Sequence, residues 1–463
     1  MEPGVNVDDL TSLINADIAE LAEQFAVPGV AFGVDLGGDT IGVNQGITHI
    51  DHPLPVDSDT LFQIASMSKP FTATLPMGLV EDGSASLDDP VVTHVPDLAV
   101  PNHHDAQDIT IGQLLTHTTG WDGDHLLVHP IPQGELADVP AALSDLCQLV
   151  PPGTEWTYGN VSYALAGRVI ENLTDKPYVE VLRSRILEPL DMAHTAVDAD
   201  EAILHRVAMR HVSAGGEVSP LYDGAGWQPG WALSPIDLPV GGMISTVNDL
   251  LRWLRCWLDR GTEDGLPLSR STRSTMYTDH VPRYNPTMGQ GIGWAIRVHP
   301  GATVFGHGGL TAGYCSYSMF CPELDLAAVI LTNSTSGTAL CSGVAERLIG
   351  HVSGQPWVNP SPMSTPDTSA ITGRYTGAFG NITVTVDGAE LELRTNRHPV
   401  SPGEWQPPPE PSRRAVMYAS RHGVVTAPAN MVGSLIDFAP IRDRGDQAAW
   451  IRSGGRIHTR LIS

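Results

Sequence analysis

The stretch Phe62–Gly78, FQIASMSKPFTATLPMG, sets Ser66 three residues before Lys69. Residues three apart share one face of a helix, so this spacing brings the Lys69 ammonium beside the Ser66 hydroxyl. Proline lacks an N–H and is tolerated only in a helix's first turn, so Pro70 places the helix start near Ser66; Pro76 is expected to bend the helix further on. Free amides at such a terminus offer donors and positive potential where an oxyanion forms. Lys69 is also one of two lysines in the chain, Lys176 being the other, while arginine supplies the rest of the 26 basic residues. A serine is a weak nucleophile unless a neighbour takes its proton. Lysine can do so once burial or nearby cations lower its pKa from about 10.4, whereas arginine stays protonated. A chain that uses arginine almost everywhere therefore keeps lysine where the cation has to lose its proton. Taken alone, S-x-x-K is a short pattern that also arises by chance on surfaces.

Two further segments add to it. PPGTEWTYGNVSYALAGRVIE puts Tyr158 and Asn160 at Y-x-N spacing before a helix whose apolar face carries Tyr163, Leu165, Val169 and Ile170. VFGHGGLTAGYCSYSMF puts His307-Gly308-Gly309 at the end of one expected strand and before another. In this order and at these separations, S-x-x-K, Y-x-N and a basic-x-Gly strand resemble the serine β-lactamase and penicillin-binding protein superfamily. The nearest branch holds class C β-lactamases, family VIII esterases, D-aminopeptidases and D,D-carboxypeptidases. The resemblance covers about residues 1 to 355 and includes LLTHTTGWDG and PVGGMISTVNDLLRW.

The resemblance implies a nucleophile at Ser66, its activating partner at Lys69 and a proton shuttle at Tyr158. It implies that Asn160 hydrogen-bonds Lys69 and a substrate amide, and that His307 stands where β-lactamases carry the lysine of K-T-G. The oxyanion hole would be the backbone N–H groups of Ser66 and Leu310, and Gly308 and Gly309 would let substrate lie along the strand. A neutral imidazole at His307 holds a carboxylate poorly, which disfavours efficient penicillin hydrolysis and matches the D-aminopeptidase and esterase-like relatives.

The elements that must position these residues are legible as patterns. Leu10, Leu13, Ile14, Ile18, Leu21 and Phe25 mark an amphipathic first helix, stopped by Pro28-Gly29. VAFGVDL and TIGVNQGI, joined through Gly37-Gly38, read as a hairpin. The stretch from about Pro70 to about Gly265 reads as mainly helical. Strand patterns return in GIGWAIRV, TVFGHGG, YCSYSMF and LAAVILTN, followed by a helix near Cys341 to Gly350. Strands at both ends with helices between them imply an α/β (α+β) β-lactamase-like transpeptidase fold: an antiparallel sheet flanked by terminal helices, with an inserted helical lobe and a cleft beside it. The expected catalytic domain is 1–355. GQPWVNPSPMSTPDTSA reads as a linker over 356–367. Residues 368–463 read as a small antiparallel, lipocalin-like β-barrel, opened by the hairpin NITVTV-DG-AELELR. Its last strands carry Arg452, Arg456 and Arg460, and Arg452 is the expected substrate contact.

Composition narrows the partners. With 26 Lys+Arg against 52 Asp+Glu the net charge is −26, which repels nucleic-acid phosphates and anionic lipid. The N-terminus has no basic n-region or apolar h-region, and no window approaches a bilayer span, so a cytoplasmic protein is expected. Five scattered cysteines without CxxC suit reduced thiols. His49 with His52, or His103 with His104, lack supporting Glu or Cys at ligand spacing, so no metal and no cofactor is expected. The Trp253, Cys256, Trp257 cluster reads as core, and His117 as a structural hydrogen-bonding histidine.

The expected enzyme forms an acyl-serine on a small-molecule or peptidyl ester or thioester, with a carrier protein as a partner in the narrower reading. That reading is a stand-alone penicillin-binding-protein-type thioesterase that cyclises or releases a nonribosomal peptide, because such enzymes combine a cytoplasmic location with an appended barrel. The alternatives are an intracellular esterase or amidase, a D-amino-acid-specific peptidase, and a penicillin sensor or scaffold without turnover.

Overall fold

The hairpin expected around Gly37-Gly38 forms because both glycines adopt positive φ, 63° and 99°, which a two-residue turn between twisted strands requires. It joins β1 (Gly29–Leu36) to β2 (Asp39–Gly46) in a computed structural model of the chain. The structure describes residues 6–101, 107–131, 134–214, 216–221, 231–260, 266, 268–278, 281–283, 288–357, 371–378, 380–387, 390–397, 413–419, 424–428, 436–440, 448–453 and 455–461. His103, His104, Gly388 and all of the expected linker beyond residue 357 lie outside the described residues.

The chain divides into two compact units. One is made of residues 1–85, 170–279 and 291–358, the other of 86–169, 280–290 and 359–463. The first unit is built on antiparallel strands in the order β2-β1-β6-β5-β4-β3, where β3 is Ala295–His299, β4 Ala302–Thr311, β5 Tyr314–Cys321 and β6 Leu326–Thr332. N-terminal β1 thus pairs with late β6, Val30 opposite Thr332 and Leu36 opposite Leu326, which is the sheet assembled from distant segments that the sequence implied. Every residue of β6 is buried, as its unbroken apolar run LAAVILT requires of a central strand.

Helix α1 (Val7–Gln24) buries Leu10, Ile14, Ile18 and Leu21 in the core formed with β1, β2, β5 and β6. Burying each such side chain contributes about 1.5–3 kcal/mol. Leu13 departs from the expected stripe: it is 45% exposed, because at 100° per residue it projects about 95° from the stripe's centre. The last helix of this unit, Gly337–Ser353, adds Leu340, Cys341, Val344, Leu348 and Ile349 to the same core. Within the unit, Val247–Trp257 forms another helix. Its Trp253 stacks on Phe71 at 4.1 Å and its Arg255 Nε donates to the buried Asp35 carboxylate at 2.6 Å. Trp253, Cys256 and Trp257 are core residues, as their spacing predicted.

The helix Asn160–Thr174 begins in the second unit, at the Y-x-N asparagine. Strands β7 (Gly373–Gly377), β8 (Gly380–Asp387), β9 (Glu390–Arg397), β10 (Arg413–Ala419), β11 (Val424–Pro428), β12 (Ile436–Pro440), β13 (Ala448–Ser453) and β14 (Arg456–Arg460) pair antiparallel in chain order, and β7 pairs with β14 as well. The alternation read in NITVTV is real: Ile382 and Val384 are buried while Thr385 is exposed. Among the described residues, no helix is long and apolar enough to cross a membrane.

Candidate active site

In the first unit, Ile64–Lys69 is folded by its own backbone and hydroxyls. Ala65 takes a left-handed φ of 50°, and Ala65–Met67 form a 3₁₀ turn that runs directly into helix α2 (Ser68–Glu81). The α-helix therefore starts two residues later than the Pro70 argument alone placed it, with Pro70 in its first turn and Pro76 inside it. The turn is clamped at several points. Ser68 Oγ donates to the Ala65 carbonyl at 2.8 Å, the Ile64 N–H donates to the Met243 carbonyl at 3.0 Å, and Ser316 Oγ on β5 donates to the Ile64 carbonyl at 2.8 Å. A non-glycine left-handed residue is strained, and these bonds hold it in place.

Lys69 is 0% exposed. Its Nζ donates to Ser66 Oγ at 3.1 Å and to the Val240 carbonyl at 2.7 Å. The pair that the spacing predicted is thus made. Burial pushes the carboxyl of nearby Asp237 above its ordinary range, against the pull of the Ser234 amide and of the Lys69 charge.

His307, Gly308, Gly309 and Leu310 all lie on β4. Among the described residues β3 covers β4 only from Ala302 to Gly306, while β5 covers it from Phe305 to Thr311. The β4 edge opposite β5 is thus without a strand partner over Gly308–Thr311, and an extended chain can add there through main-chain hydrogen bonds. The two glycines differ in kind. A Cβ on Gly309 would fall 2.1 Å from the Ile64 carbonyl oxygen and 2.2 Å from Ser316 Oγ, whereas one on Gly308 meets nothing closer than 3.7 Å. Gly309 is therefore required by the packing of β4 on the nucleophile's turn, and only Gly308 fits the expected role of leaving room on the strand. His307 is buried, and its Nδ1 lies 2.7 Å from the Gly308 carbonyl, an acceptor only, which assigns the proton to Nδ1. The Leu310 side chain is 64% exposed.

The Y-x-N motif sits in the second unit, and His117 shapes it. That residue takes φ 59°, accepts from the Gly159 N–H through Nδ1 at 3.1 Å, receives the Thr157 N–H on its carbonyl at 2.9 Å, and packs its ring 4.5 Å from that of Tyr158. The structural role read for it holds. Asn160 donates from Nδ2 to Asp124 Oδ1 at 2.6 Å, a partner the sequence reading did not name. Burial and the charge of Asp124 push the neighbouring Asp122 carboxyl up to about 6.

Arg452, the residue expected to meet substrate, is buried. It is 0% exposed, pairs with Glu155 at 3.0 Å, donates to the Arg283 carbonyl at 3.4 Å, and lies over the Trp450 ring at 4.9 Å. A buried guanidinium must be paired, and Glu155 meets its charge inside the unit. The arginine beside the motif is Arg456, whose guanidinium lies 5.0 Å over the Tyr158 ring and pairs with Asp124. Of the histidines weighed as ligands, His49 accepts the Asp51 N–H through Nδ1 at 2.9 Å.

The family model for beta-lactamase matches residues 14–357. The chain belongs to the beta-lactamase family. Penicillin-binding protein 4 of Amycolatopsis lactamdurans is 31% identical over 369 residues, covering 77% of this chain and 94% of that protein. Unguisins hydrolase ungD' of Aspergillus campestris is 28% identical over 362 residues, covering 72% of this chain and 65% of that protein. Among solved structures, SurE superposes with a TM-score of 0.74 at 23% identity over 98% of this chain and all of that one. The octameric penicillin-binding protein homologue from Pyrococcus abyssi gives 0.64 at 23% identity over 95% and 97% of the two chains. This beta-lactamase-family chain is accordingly a serine hydrolase of the penicillin-binding-protein superfamily, whose members act through acyl-serine intermediates. Asp124, Gly455 and Arg456 were not singled out as site residues, since short-range spacing carries no signal for contacts between residues some 300 positions apart.

Proposed function

We propose that this chain is a stand-alone penicillin-binding-protein-type thioesterase that receives a peptidyl group on Ser66 and releases it as a cyclic or linear peptide. The observation that carries the acyl-serine step is the buried Lys69 with its Nζ 3.1 Å from Ser66 Oγ. In this reading neutral Lys69 takes the Ser66 proton as Oγ adds to the thioester carbonyl, and the oxyanion rests on the Ser66 and Leu310 N–H groups. Tyr158 relays that proton from Lys69 to the departing thiolate. The acyl-serine is then opened by the peptide's own amine, which gains effective concentration by belonging to the same chain and whose proton passes to Ser66 Oγ as the ester bond breaks.

The peptide class is supported by the Gly308–Thr311 edge, which has no strand partner opposite β5 among the described residues and suits an extended main chain. Further support comes from the likeness to SurE, solved also with D-Leu, and to a relative named for hydrolysing unguisins. We propose on that likeness a D-configured residue at the scissile carbonyl. We further propose that residues 368–463 form a lipocalin-like barrel that keeps water from the acyl-enzyme, that a carrier protein delivers the substrate, and that the protein works in the cytoplasm. The second reading, an esterase or D-amino-acid-specific peptidase, is favoured by His307 where β-lactamases carry lysine.

A peptidyl thioester with a D residue at its C-terminus and a free N-terminal amine separates the two. The full-length enzyme is expected to give macrocycle in excess of free acid. Free acid alone, across several such peptides, would leave the esterase reading standing in place of the cyclase.

A further inference from the structure

The Tyr158–Asn160 motif is held from the C-terminal strands as well as from its own loop. Tyr158 N–H donates to the Gly455 carbonyl at 2.8 Å, and Ile457 N–H donates to Thr157 Oγ1 at 3.3 Å, so the β13–β14 turn lies against the motif. Gly455 has φ 84°, and a Cβ there would come within 2.9 Å of the Trp156 ring and 3.4 Å of Tyr158 Cβ, so the turn has closed to backbone contact. On the other side, Asn160 N–H and Val161 N–H both donate to the Gly123 carbonyl, at 2.7 and 3.0 Å.

Asp124 joins these two sides. It is 1% exposed, and its Oδ1 takes the Asn160 side-chain amide at 2.6 Å while Arg456 Nε donates to Oδ2. A buried carboxylate is tolerated only when its charge is met, and Arg456 is the cation that meets it. The same guanidinium covers the Tyr158 ring, so one ion pair touches both polar members of the motif. We propose that Asp124 is a positioning residue that fastens Asn160 to the β13–β14 turn through Arg456, so that the C-terminal strands keep Tyr158 and Asn160 in their reactive arrangement. The inference rests on the acyl-serine reading above. It gives the C-terminal segment a part in the chemistry whichever acyl group is used.

A double-mutant cycle on the full-length chain tests it, with Asp124→Asn, Arg456→Gln and the pair together, using p-nitrophenyl butyrate turnover and thermal melting as readouts. Each single change is expected to lower kcat about tenfold or more with KM within about twofold, and the double variant to be no worse than the poorer single, since the pair acts as a unit. Arg456→Lys, which keeps the charge though not the planar fork, is expected to retain severalfold more kcat than Arg456→Gln, an outcome that loss of packing alone does not give. Additive losses, or singles that keep most of wild-type kcat, would overturn the proposal, and a raised KM at unchanged kcat would make Arg456 a substrate contact instead. Should Asp124→Asn fail to fold, Arg456→Lys against Arg456→Gln decides alone, equal activity counting against the proposal. Turnover that survives Ser66→Ala would strike the acyl-serine reading itself.

Discussion

Lys69→Arg is expected to slow acylation of Ser66 by about a thousandfold, no less than Lys69→Ala, although it conserves the charge. The reason lies in the surroundings of Nζ. Lys69 is fully buried with one bond to Ser66 Oγ and one to the Val240 carbonyl, so the group that replaces it meets the serine at hydrogen-bond range and must be able to receive its proton. A guanidinium stays protonated at any working pH. Stopped-flow release of p-nitrophenolate under single-turnover conditions measures the step. An arginine variant that kept more than about a tenth of the wild-type rate would reduce Lys69 to an electrostatic neighbour and demand another base.

Gly309→Ala is expected to lower the same rate by about a hundredfold or more and to depress the melting temperature, while Gly308→Ala leaves the melting temperature close to wild type. The adjacent glycines invite the same explanation from sequence, but they face different things. The new methyl at 309 would overlap the Ile64 carbonyl, two residues before the nucleophile, and Ser316 Oγ, which holds that carbonyl. Backbone cannot yield there without parting β4 from the turn that carries Ser66, and the Leu310 N–H assigned to the oxyanion moves with it. At 308 the methyl finds ordinary van der Waals space. Differential scanning fluorimetry together with acylation rates distinguishes the two positions. Equal stability of the two variants would mean that β4 is not seated on the Ile64 carbonyl as described.

Much of this arrangement was legible in the sequence because it is local. The Ser66–Lys69 pair follows from a three-residue spacing, the Gly37-Gly38 turn from the need for positive φ, and β6 from an unbroken apolar run. Order and separation of the three motifs carried the family, and with it the sheet of distant strands. What was not legible was contact between segments remote in sequence. The choice among Arg452, Arg456 and Arg460 could not be made from strand periodicity. Arg452 lies on β13 before the turn and Arg456 opens β14 after it; Arg452 is buried against Glu155 and Trp450 while Arg456 meets Asp124. Asp124 itself stood inside WDGD with nothing to separate it from a solvated loop carboxylate until the fold brought Asn160 to it. The start of α2 was misplaced by two residues because a left-handed alanine has no sequence signature of the kind glycine provides.

The central claim is that Ser66 carries the acyl group, and intact-mass spectrometry with peptide mapping tests it most directly. Wild-type enzyme mixed with a peptidyl thioester whose N-terminus is blocked cannot close the ring, so acyl-enzyme is expected to accumulate. The added mass should equal that of the thioester less the departed thiol, map to the peptide containing Ser66, and be absent from Ser66→Ala. An adduct that persists in Ser66→Ala, or thioester consumption by that variant at the wild-type rate, would contradict the account.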